Sequence, residues 1–132
     1  MYQELDHTAD CAIRVWGADR AELFADAAKG MYWLAGATTG EAGEEIRHLT
    51  LTASDQESLL VRWLQELAYW LESESRVVSG ISFQELTMTH LDAEMTCGTA
   101  TSIARFIKAV TYHDLAIVPV GGGLQTAIVF DV

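Results

Sequence analysis

The sequence predicts a single α+β domain, with two helices packed on a mostly antiparallel, multi-stranded sheet. Three observations carry that expectation. Apolar residues recur at three- and four-residue intervals in two stretches, near 19–35 and 55–73, which is the period of a helix with one buried face. From about residue 77 onward, short alternating runs separated by turn residues replace that period, as a meander of antiparallel strands requires. The 132 residues, taken as one domain over 1–132, are enough to bury roughly two-thirds of the unfolded surface.

In chain order, Cys11, Ile13 and Val15 alternate with Ala12, Arg14 and Trp16, the period of a strand with one buried face, and Gly17 ends it. Asp19 offers a helix N-cap, with Glu22 three residues on as the second half of a capping box. Leu23, Phe24, Ala27, Ala28, Met31 and Leu34 then mark the sheet-facing side of a helix that stops near Ala35 and Gly36. Residues 36–44 are small and polar and read as a loop. A strand follows over 46–53, with Leu49, Leu51 and Ala53 on one face. Ser54 and Asp55 are alternative caps for the second helix, and Glu57 completes a capping box with Ser54. Leu59, Leu60, Trp63, Leu64, Leu67, Ala68 and Leu71 run down its buried side to about Ser73, while Arg62, Gln65, Glu66 and Tyr69 leave its other face partly polar.

The rest reads as strands. One or two occupy 77–91, interrupted at Gly80, and a short one covers 93–97 after a turn at Leu91 and Asp92. Residues 98–104 are ambiguous between strand and loop. Strands follow over 106–113 and 116–120, then a glycine turn at Gly121, Gly122 and Gly123, and a last strand over 124–131. Pro119 suits an edge or a strand end. Both helices are expected on one face of the sheet.

Composition narrows the function classes. Half the residues (50%) are hydrophobic and only one is proline, so the chain is not a disordered segment. Nineteen acidic residues against 8 basic ones leave a net charge of -11, the opposite of a surface that grips a phosphate backbone, so no direct nucleic-acid binding is expected. Such a chain suits a basic protein surface or divalent cations. Cys11 and Cys97 show no C-x-x-C spacing and read as small core-filling residues, with a disulfide between them left open. The first residues lack a basic and apolar leader, and no apolar run reaches the roughly 20 residues that span a bilayer. A soluble, cytoplasmic protein without a membrane partner is the expectation.

Polar residues cluster at two places. Asp6, His7, Thr8, Ala9 and Asp10 stand just ahead of the first alternating strand. Lys108, Ala109, Val110, Thr111, Tyr112 and His113, together with Asp131, stand near the other end. Chain termini commonly lie close in a compact domain. If they do so here, Asp10, Asp131 and the carboxylate of Val132 would repel one another unless a divalent cation relieved the repulsion. An all-oxygen set suits Mg²⁺, Ca²⁺ or Mn²⁺ better than Zn²⁺. The plain alternative is a solvated Asp131 and an Asp10 that caps a turn. His7 reads as a ligand or a turn hydrogen-bonder, with Thr8 available to the same turn. Alternation would put Lys108, Val110 and Tyr112 on one strand face and Ala109, Thr111 and His113 on the other. Lys108 is then either an edge-strand guard or a cation beside the carboxylates. His113 stands at the strand end. Glu66, just off the apolar stripe of the second helix, is either solvated or part of the site. His48 and His90 read as structural. No phosphate-binding glycine loop, nucleophile–base motif or zinc spacing is present.

Those same residues resemble a known family. The run from Asp6 to Asp10 leading into Ala12, Ile13, Arg14, Val15, Trp16 and Gly17 is similar to the opening of archease. Residues 108–113 (KAVTYH), the ending Val129, Phe130, Asp131 and Val132, and the helix holding residues 60–67 match its other signatures in order. The resemblance covers the whole chain and implies a single archease-like domain. It also implies an accessory protein rather than an enzyme, one that activates an RtcB-type RNA ligase by promoting its guanylylation and multiple turnover in tRNA splicing. The family's acidic metal site would fall on Asp10 and Asp131 with Val132 beside them. Lys108 and His113 lie in the KAVTYH motif and Glu66 in the second helix. Thr99 stands where an acidic residue is usual, Arg105 where a histidine is common, and Gly121, Gly122 and Gly123 replace a more polar turn.

Two other classes compete. A chaperone-like module would hold an RNA-modifying enzyme, such as an RNA methyltransferase, through exposed aromatics (Trp16, Tyr69 or Trp70) and would need no metal. A small metal-dependent hydrolase would use Asp10, Asp131 and Glu66, against which stands the missing nucleophile motif.

Overall fold

The computed structural model describes residues 1–5, 11–39 and 45–132. Two helices and nine strands follow in the order β1 (Tyr2–Leu5), β2 (Cys11–Gly17), α1 (Arg20–Ala35), β3 (Thr38–Thr39), β4 (Glu45–Thr52), α2 (Gln56–Glu74), β5 (Arg76–Leu86), β6 (His90–Ser102), β7 (Ala109–Val110), β8 (Val118–Val120) and β9 (Gly123–Asp131). The α+β class holds, with all strand pairs antiparallel. The sheet is divided in two. One, of five strands, runs β1-β2-β9-β7 with β8 also on β9; the other, of four, gathers β3, β4 and β5 around β6. Each helix touches both sheets, α1 against β2 and β5, α2 against β5 and β7.

That position explains the breadth of the buried helix faces. Leu23, Phe24, Ala27, Ala28, Met31 and Leu34 of α1 are buried as their spacing predicts, and so are Tyr32 and Ala35. On α2 the predicted stripe is buried and Val61 and Trp70 join it. The Trp63 indole donates from Nε1 to the Phe24 carbonyl at 3.0 Å, tying the helices together inside the core, and its ring lies 5.5 Å from that of Phe83.

The helix ends obey local chemistry. Asp19 accepts from the Glu22 amide at 2.8 Å, and the Glu22 carboxylate reaches back to the Ala18 amide. Asp55, not Ser54, caps α2 by accepting from the Ser58 amide at 2.7 Å. Glu57, expected to complete a box with Ser54, instead accepts from the Ile117 amide at 2.9 Å and pins the stretch before β8. Gly36 ends α1 at φ 63°, where a Cβ would meet Ala104 Cβ at 2.6 Å.

The strand boundaries depart most in the second half. The turn expected at Leu91 and Asp92 lies between β5 and β6, where the Thr87 amide donates to the His90 carbonyl at 2.8 Å. The short strand expected over 93–97 is part of the long β6, which carries the ambiguous residues 98–102 into the sheet. The strand expected over 106–113 shrinks to Ala109–Val110. Tyr2–Leu5 and Thr38–Thr39, not foreseen, are short strands held by their partners β2 and β6.

Candidate functional site

The first long strand and the last one are neighbours. β2 pairs along its whole length with β9, with Cys11 opposite Phe130 and Gly17 opposite Leu124. On the other side of β9, Ala109 lies opposite Asp131 and Val110 opposite Phe130. The start of β2, the end of β9 and the KAVTYH segment therefore meet at one end of the five-stranded sheet. His7 and Asp10 lie outside the described residues; in sequence, Asp10 immediately precedes Cys11.

Asp131 is exposed, and its carboxylate makes no hydrogen bond or ion pair with any described residue, while Val132 is half-buried. The Lys108 amide donates to the Asp131 carbonyl at 2.8 Å. Lys108 itself is exposed and precedes the strand, so the face it was expected to share with Val110 does not exist: Val110 is buried and Tyr112 exposed. The chain turns at Tyr112, whose carbonyl accepts from the Leu115 amide at 3.1 Å. His113 lies on that turn with Nε2 3.2 Å from the Asp114 carboxylate, and its amide donates to Thr111 Oγ1. Glu66 is half-buried on α2. The neighbouring residues Gln65, Tyr69 and Glu72, not Glu66, face Lys108 across a groove. Sequence reasoning had Gln65 and Tyr69 only as a polar face; the four- and three-residue spacing to Glu72 was the signal that they form one stripe.

The segment leading into the site is tethered at both ends. The amides of Ala104 and Arg105 donate to the Ala35 carbonyl at the end of α1, and the Lys108 amide to Asp131. Between them the Arg105 guanidinium donates to the Cys11 Sγ at 3.1 Å. Cys11 and Cys97 are free thiols, so the disulfide left open is not formed. Cys97 fills the core as expected, and burial pushes its thiol up. Of the aromatics named for partner capture, Tyr69 is 62% exposed, whereas Trp70 is buried at 7% under the Arg47 guanidinium and Trp16 is half-buried. Trp33, Phe106 and Tyr112 are the other exposed rings.

No group of three His, Cys, Asp or Glu side chains among the described residues is arranged to hold a metal ion. The described donor at the site is the carboxylate of Asp131. Its oxygens are hard ones of the kind Ca²⁺, Mg²⁺ and Mn²⁺ accept, and among the described residues it has no other partner. It fits such an ion as one member of a larger set.

Comparison with known proteins agrees with this fold. The model of the archease protein family (MTH1598/TM1083) matches residues 2–132. The chain belongs to the archease family. It is 33% identical to the archease of Methanosarcina barkeri, covering 99% of this chain and 95% of that one. The archease of Archaeoglobus fulgidus is 28% identical over 99% of this chain and 98% of its own. Among solved structures, an archease of Thermotoga maritima described as a possible chaperone superposes with a TM-score of 0.75 at 22% identity, covering 100% of this chain and 98% of that one. Protein 1598 of Methanobacterium thermoautotrophicum superposes at 0.72 with 25% identity, covering 99% and 98%. The two-helix, antiparallel-sheet architecture is thus the family's own. Among the described residues no helix is long and apolar enough to cross a membrane.

Proposed function

We propose that this archease is an accessory protein, not itself an enzyme, that activates an RtcB-type RNA ligase in the cytoplasm and so supports tRNA splicing. The observation that carries the reading is the pairing of β2 with β9 and of β9 with β7, which gathers the start of the domain, its end and the KAVTYH segment. In this reading Asp10, Asp131 and Val132 hold a divalent cation of the calcium, magnesium or manganese class. Bound there, the ion supplies positive charge to oxygens of a transferring phosphoryl group. Asp131 contributes a carboxylate that has no hydrogen bond or ion pair among the described residues, so binding an ion breaks no contact there. Lys108, fixed to the last strand through its amide, keeps a cation at the edge of the same site. His7, His113 and Glu66 are the further polar groups the partner would meet. The net charge of -11 favours encounter with a basic RNA-binding cleft and disfavours direct contact with RNA.

The test is ligase guanylylation and multiple-turnover joining with and without the protein. Stimulation that survives both Asp10→Ala with Asp131→Ala and a chelator would remove the metal from the mechanism. The exposed rings of Trp33, Tyr69, Phe106 and Tyr112 favour a second reading, a chaperone-like module for an RNA-modifying enzyme such as an RNA methyltransferase. Suppression of a client's aggregation that chelation leaves untouched would select it.

A further inference from the structure

A groove of about 260 Å³ opens between α2 and the segment that enters β7. Gln65, Tyr69 and Glu72 line the helix side, Lys108 stands on the other, and Ala68 and Val110 form an apolar floor. The floor is closed, with Ala68 at 7% and Val110 at 3% exposure, while the Tyr69 ring is 62% exposed. The other aromatics near it on α2, Trp63 and Trp70, are buried at 0% and 7%, so Tyr69 is the ring this helix leaves for solvent. Neither Lys108 nor Glu72 has a side-chain hydrogen bond or ion pair with a described residue. Phe106 and Tyr112, 45% and 56% exposed, bracket the groove-lining run in sequence and extend the aromatic surface.

The dimensions and the charges select the occupant. The volume falls below the roughly 300–1,000 Å³ of small-molecule sites and matches one large side chain. A cation entering the groove meets Lys108, and an anion meets Glu72, so neither gains from both walls. A neutral ring does. Its face can take the Lys108 ammonium and the Tyr69 ring, and a donor on its edge can reach the Glu72 carboxylate or the Gln65 carbonyl. Tryptophan, with an indole N–H that only donates, meets all of these terms, and large aromatic anchors in closed pockets dominate protein interfaces.

We infer that this groove receives a tryptophan side chain from the partner protein and is the anchor by which the accessory protein docks. The inference rests on the proposed accessory role, because Lys108 joins the groove to Asp131 and a partner seated here reaches the head-and-tail site. Its test does not depend on that role. The isotope-labelled protein is titrated with N-acetyl-tryptophanamide, N-acetyl-argininamide and N-acetyl-aspartamide while amide resonances are followed. Saturable shifts confined to Tyr69, Glu72 and the 108–110 amides, caused by the tryptophan compound alone and lost in Tyr69→Ala and Glu72→Ala, are expected. Shifts from the arginine or aspartate compound instead, or none from the tryptophan compound, overturn the assignment. Thermal melts serve as the control that both variants fold. With the ligase, Tyr69→Ala is expected to raise the concentration for half-maximal stimulation by about tenfold and to move the maximum less. Asp131→Ala is expected to abolish the stimulation instead. If wild-type protein fails to stimulate, the accessory role falls while the titration still decides the groove.

Discussion

The Lys108 amide donates to the Asp131 carbonyl oxygen at 2.8 Å, so the cationic residue of the KAVTYH segment and the last acid of the chain are joined by backbone alone. Their side chains remain available. Asp131→Ala and Lys108→Met therefore leave the joint in place, and surface changes of this kind alter stability by no more than about 0.5 kcal/mol. Urea unfolding midpoints like wild type with stimulation of the ligase abolished are the expected result. A midpoint that falls along with stimulation would assign these side chains to the fold.

Trp63 is the hinge pin of the core. Trp63→Phe removes the indole donor to the Phe24 carbonyl and leaves a cavity between the helices. The lost hydrogen bond and the cavity together are expected to cost about 2–3 kcal/mol. Chemical denaturation would read this as a lower midpoint at unchanged slope.

Thr126 makes the opposite prediction. Its hydroxyl is buried in β9 with no hydrogen-bond partner among the described residues, and the residue is 3% exposed. Valine has nearly the same shape and suits a strand, so Thr126→Val is expected to raise stability by about 1 kcal/mol. A drop in melting temperature would show that the hydroxyl is satisfied in solution.

Acid should act through Glu74. Arg47 holds it with two contacts, at 2.9 and 3.1 Å, and these hydrogen bonds hold the carboxyl below its usual range. A carboxylate depressed in the folded state adds stability that is present above its unfolded pKa, about 4.3, and is lost as pH falls through the folded value. Glu74→Gln should flatten the loss of stability with acidification below about pH 4.3 and leave the slope near neutrality unchanged. Asp55, depressed by the Ser58 amide, should keep a residual acid dependence in that variant. An unaltered acid limb would mean that the Arg47 pair does not form in solution.

Much of the architecture was legible because it is local. Every residue named in the apolar stripes of α1 and α2 is buried, and Asp19 announced its cap, since each signal lies within a turn or two of helix. The strands were less legible. Tyr2–Leu5 carries no alternation strong enough to announce it and is a strand because β2 offers an unpaired edge. The 106–113 stretch looked extended throughout, yet only Ala109–Val110 find partners on β9 before the chain turns at Tyr112.

The candidate site divides in the same way. Lys108, His113 and Asp131 were named from residue chemistry and from the motif that holds them, and Asp10 and His7 from the motif ahead of β2. Which groups meet is a matter of strand order. Cys11 faces Phe130 across residues far apart in sequence, and Gln65, Tyr69 and Glu72 face Lys108 because α2 lies against β7.

By itself the sequence determined the two helices, the buried faces of most elements and the family, because periodicity and motif spacing are properties of short segments. Only the tertiary structure decided that the sheet splits in two, that the head and tail strands are neighbours and that a groove opens beside Lys108. Those features arise from pairings between distant segments, whose hydrogen bonds and burial exist only once the whole domain has closed.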